Sequence, residues 1–119
     1  MTPEEIKKAT LRSLQEAVTK MMSPEWDLYL DGKPRDVVEK AGMTLLATQR
    51  ARLRLENAEL AEIAEKLSQN EKDLTDGKTN LDKALSDLKN VQMVLDTASA
   101  LLKVVGRVVA IAAGGTLGL

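Results

Sequence analysis

Leucine occupies every seventh position at Leu46, Leu53, Leu60, Leu67, Leu74, Leu81, Leu88, Leu95 and Leu102, and Val109 continues the row. A straight helix drifts against a strict seven-residue spacing, so such a row stays on one face only when the helix supercoils around a partner. The pattern predicts an all-α protein built on a long coiled-coil helix, with these leucines as its oligomer seam. The companion positions three residues further on change character along the chain. They are polar at Gln49, Glu56 and Asn70, pass through Gly77, and become small and apolar at Ala84, Val91, Ala98, Val105 and Ala112. Polar seam residues lower stability but fix register and strand number, whereas small ones permit close helix approach.

Ahead of the row, Thr2, Pro3 and Glu5 have the spacing of a capping box with proline at the first helical position. A shorter amphipathic helix is expected to start there, with Ile6, Leu11, Leu14, Val18 and Met21 on one side. Ser23, Pro24 and Glu25 read as a fresh cap and a short helical turn, Trp26 to Leu30 then alternates, and Asp31, Gly32, Lys33 and Pro34 form a strong turn signal, so that Trp26 and Tyr29 fall inside non-helical punctuation. The two aromatics are expected to anchor this connector onto a neighbouring helix.

From Pro34 to about Ala113 the helical pattern runs on, and a continuous helix of that length would extend roughly 120 Å. The polar stretch from Ser68 to Asn80 is its weak point. Gly77 beside Asp76, with Thr79 or Asn80 as a new cap, would allow a helical hairpin to bend there. The unbroken seven-residue count from Leu74 to Leu81 favours continuity instead. Three stretches result: residues 1–33 as N-terminal helix and connector, 34–90 as a charged leucine-heptad coiled coil, and 91–119 as an apolar C-terminal oligomerisation or membrane segment.

That last stretch carries the functional expectation. Lys89, Gln92, Asp96, Lys103 and Arg107 fall on a narrow stripe, and apolar residues cover more than half of the circumference. Such an arc is wider than a two-stranded seam can cover, so further helices or lipid must cover the rest. Val108 to Leu119 is free of charge but much shorter than the about 20 residues of a lone spanning helix. Lys103 and Arg107, with Val104, Val108 and Ile111 beside them, are therefore the candidates to face a membrane or a multi-copy pore.

Composition narrows the chemistry. With 17 basic and 18 acidic residues among 119, no whole-chain field draws the protein to nucleic acid. Arg50, Arg52 and Arg54 are too few, and too closely followed by glutamates, for the phosphate footprint of a basic-region zipper. The chain has no His and no Cys, which removes the usual general base, thiolate nucleophiles, disulfides and thiolate zinc sites. No phosphate loop or nucleophile elbow is present, and no signal peptide is visible. No catalytic, cofactor or metal site is expected, so the protein reads as non-enzymatic.

The coiled coil joined to an apolar, sparsely cationic helix over roughly residues 36–119 resembles, in organisation and without a diagnostic motif, the helical pore-forming toxins and their accessory components. The leading expectation is a self-assembling coiled-coil protein whose C-terminal helix drives oligomerisation and membrane association or pore formation. The alternatives are a soluble scaffold or virion-type subunit, and an adaptor or chaperone that offers its seam to a partner helix. The expected partners are copies of itself, a lipid membrane or a partner helix, with no nucleic acid. Its location would be a membrane surface or a large assembly.

Overall fold

A computed structural model describes residues 2–114; residues 115–119, the end of the expected C-terminal segment, lie outside it. Among the described residues the fold is all-α. Its helices are α1 (Pro3–Met21), α2 (Pro24–Leu30), α3 (Arg35–Glu56), α4 (Ala64–Leu85) and α5 (Val91–Ala112), with a 3₁₀ turn at Ala61–Ile63 before α4.

Local chemistry sets the first boundaries. The capping box closes reciprocally: the Glu5 amide donates to Thr2 Oγ1 at 3.1 Å, and the Thr2 amide donates to Glu5 Oε1 at 3.0 Å. Those two hydrogen bonds satisfy donors that a helix start leaves free. The hydrogen bond from the Thr2 backbone, followed by that with its side chain, holds the Glu5 carboxyl below its usual range. Ser23 caps α2 by accepting from the Trp26 amide, and the indole of Trp26 is buried. Gly32, at φ 81°, makes the turn into α3.

The expected 80-residue helix is not continuous. Three helices occupy its span, and the whole molecule measures 46 × 29 × 19 Å, too short for a rod of about 120 Å. The breaks fall after Glu56 and after Leu85. At the first, Asn57 Nδ2 turns back to the Leu53 carbonyl at 3.1 Å. At the second, Ser86 Oγ donates to the Lys83 carbonyl at 2.6 Å, and Asn90 Oδ1 accepts from the Met93 amide to start α5. The two carbonyls also accept the backbone amides of Asn57 and Ser86, and the Asn90 cap satisfies a donor that a helix start leaves free. The seven-residue count runs across both breaks, so its continuity did not report a continuous helix.

No bend occurs at Gly77, which lies inside α4. A Cβ there would sit 3.2 Å from Leu101 Cδ1 and 3.5 Å from Leu101 Cα. The missing side chain lets α4 and α5 approach closely, and that gain in packing offsets glycine's helix cost of about 1 kcal/mol.

The four long helices form a bundle in which α1 packs on α3 and α4, and α5 packs on the same two. Lys7 Nζ at the start of α1 donates to the Ala58 carbonyl just past α3, at 3.0 Å, so these helices run antiparallel. Gly77 against Leu101, with Arg107 3.3 Å from Asp73, makes α4 and α5 antiparallel. Lys40 near the start of α3 lies 3.8 Å from Asp96 near the start of α5, while Arg54 and Val109 near their ends line one groove. Those two helices are parallel. The connection from α3 to α4 crosses the end of the bundle diagonally and buries Ala58 and Leu60 there.

One hydrophobic core joins residues from all three expected stretches, from Ile6 and Trp26 through Leu67, Leu74 and Leu81 to Leu95 and Val108. The C-terminal stretch is therefore a wall of the bundle in this chain. Val91, Val94, Leu95, Ala98, Leu101, Val104, Val105 and Val108 of α5 are buried.

Candidate functional site

The leucine row divides by environment. Leu60, Leu67, Leu74, Leu81, Leu88 and Leu95 are buried in the chain's own core, and Leu102 and Val109 are half-buried at its margin. Leu46 and Leu53 point outward, with 50% and 53% of their surface exposed. Six members of the expected oligomer seam are thus unavailable to a second chain while the bundle is closed.

The outward pair belongs to a helix with apolar side chains on its outer side as well as on its core side. The core-facing side of α3 carries Ala41, Thr44, Thr48 and Leu55. Thr44 Oγ1 donates to the Lys40 carbonyl at 2.8 Å and Thr48 Oγ1 to the Thr44 carbonyl at 2.7 Å, so both buried hydroxyls are satisfied within the helix. Its outer side carries Met43, 72% exposed, with Leu46 and Leu53. Spacings of three and seven residues put these three large side chains on one stripe. Isolated exposed leucines are ordinary on a protein surface; here three large apolar side chains share one exposed stripe.

The stripe borders a groove between α3 and α5. Ala47, Arg50, Ala51 and Arg54 form one wall, Leu102, Val105, Gly106, Val109, Ala110 and Ala113 the other, and the volume is about 490 Å³. Ala47 with Ala51, and Gly106 with Ala110, are pairs of small residues one turn apart that leave the floor open to the backbone of an incoming helix. Among the described residues, Arg50 and Arg54 have no ion-pair partner, whereas Arg52 lies 3.7 Å from Glu56.

The membrane or pore-facing candidates are split. Lys103 is exposed and Ile111 half-buried. Arg107 is exposed on the outside of the bundle but bonded to Asp73. Val104 and Val108 are buried against the other helices and face neither solvent nor a surface. They could meet lipid only if α5 left the bundle. Among the described residues no helix is long and apolar enough to cross a membrane.

Nothing in the described residues gathers chemistry. No three acidic side chains come together as metal ligands. Lys72 is held above its usual range by its hydrogen bond to Asp76, then by that carboxylate's charge, on an exposed face of α4.

Sequence reasoning missed Met43, Ala47 and Ala110 as surface-forming residues and weighed Arg50 and Arg54 only as a phosphate footprint. A signal was present: Thr44 and Thr48 with Leu46 two residues from each and Leu53 five beyond Thr48. The chain matches no protein-family model, no curated protein and no solved structure.

Proposed function

We propose that this protein is a non-enzymatic helical assembly subunit, which associates with copies of itself through the outer face of α3 and the groove α3 shares with α5. The observation that carries this reading is the exposed stripe of Met43, Leu46 and Leu53 on a helix whose core side is already filled by Ala41, Thr44, Thr48 and Leu55. A helix with that distribution gains apolar burial on its outer side only by meeting another molecule. Covering those three side chains is worth about 1.5–3 kcal/mol each as an upper bound. On this reading α5 serves assembly indirectly, by forming one wall of the groove and holding α3 in place.

A second reading takes the bundle to an anionic membrane surface. It is favoured by one feature: α5, the most apolar of the helices, carries Lys103 exposed and Arg107 nearby on its outer side.

Static light scattering over a wide concentration range separates the two when repeated with vesicles containing phosphatidylglycerol. Self-assembly predicts particle masses that rise from 13.0 kDa towards its multiples in plain buffer. A monomer at every concentration that nevertheless co-sediments with the vesicles would replace the first reading with the second.

A further inference from the structure

The charges along the outer face of α3 are not evenly placed, and their order selects one geometry for pairing. Asp36 and Glu39 lie in the first turns beside Arg35 and Lys40, while Arg50 and Arg54 lie in the last turns, on either side of Leu46 and Ala47. Among the described residues Glu39, with 61% of its side chain exposed, engages Arg35 of its own helix at 2.9 Å, and Lys40 reaches Asp96 of α5 at 3.8 Å. Arg50 and Arg54 stand at the rim of the groove without a partner among the described residues.

We propose that two copies pair through α3 in antiparallel orientation, with the two-fold axis passing between Leu46 and Ala47. This rests on the self-assembly reading and specifies its geometry. In that register Glu39 of one copy faces Arg54 of the other, and the pair occurs twice by symmetry. Leu46 meets the small Ala47 of the opposite helix, so a large side chain packs against a small one on both sides of the axis. Met43 covers the aliphatic stem of the opposite Arg50, whose charged head stays in water. A parallel pairing would instead set Arg54 against Arg54 and Glu39 against Glu39, and like charges across an interface oppose association. An isologous contact of this kind closes on itself and stops at a dimer.

Charge exchange tests the geometry. Glu39→Arg and Arg54→Glu each turn both symmetric pairs repulsive, so each should weaken dimerisation roughly ten-fold, and added salt should narrow that difference. The double variant Glu39→Arg/Arg54→Glu restores opposite charges in the antiparallel dimer and should regain wild-type affinity. Sedimentation equilibrium gives the constants, and thermal melts of each variant verify that the fold is retained.

Recovery in the double variant, after loss in both singles, is the expected result. If wild-type protein dimerises and either the single variants are as tight as wild type or the double variant is weaker than both, the antiparallel geometry is wrong although self-assembly stands. If wild-type protein does not associate at all, the self-assembly reading fails, and this inference with it.

Discussion

Leu81→Ala and Leu95→Ala should each destabilise the folded chain by about 2–5 kcal/mol, while Leu53→Ala, in the same row, should change monomer stability by less than about 0.5 kcal/mol. Leu81 and Leu95 have no exposed surface and pack among α1, α4 and α5 side chains, so truncation leaves a cavity that the bundle cannot readily close. Leu53 is half in water already. Urea denaturation at low protein concentration, where association does not contribute, measures all three. A uniform coiled coil would lose similar stability at each position, so the contrast between members of one row distinguishes the bundle from a zipper.

Removing α5 by truncation after Asn90 should abolish cooperative folding. The sequence pattern alone expects such a fragment to keep most of its helix and lose only higher assembly. In the bundle, α5 supplies seven buried valines and leucines as well as Ala98. At about 1.5–3 kcal/mol for each large side chain, their loss is as large as the roughly 5–15 kcal/mol that holds a domain of this size folded. Far-ultraviolet circular dichroism of the fragment should show most helicity lost, with no sigmoidal melt. A fragment with intact helicity and a sharp transition would mean that α1, α3 and α4 form a core without α5.

The all-α class was legible in the sequence, as were the capping box at Thr2, the restart at Ser23 and the turn at Gly32, because each rests on short-range chemistry. Two things were not. The breaks after Glu56 and Leu85 lie where the leucine count continues, and the count outweighed the quieter signals of Asn57, Ser86 and Asn90. Asn57 and Ser86 stand at the two helix ends and Asn90 caps the start of α5, short-range information that a seven-residue repeat does not contain. Gly77 misled in the opposite sense, because its lack of a side chain serves contact with Leu101 and not a bend.

The surface around α3 was hidden for a different reason. A repeat tells which residues share a face but not which way the face points. In α4 and α5 the leucine row faces the core, and in α3 it faces out. The direction is set by the second side of α3, where Thr44 and Thr48 satisfy their own hydroxyls and can be buried at little cost. The same holds for Val104 and Val108, whose apolar arc is covered by the chain's own helices in the bundle.

The account turns on Leu46 and Leu53 serving a second copy while the rest of the row serves the fold. Sedimentation velocity of wild-type protein beside Leu46→Glu/Leu53→Glu, at matched concentrations, tests this most directly. The wild type should sediment faster as concentration rises, and the double variant should remain a 13.0 kDa monomer whose thermal midpoint equals that of the wild type at dilutions where both are monomeric. Equal association of both proteins, or a wild type that stays monomeric throughout, would contradict it.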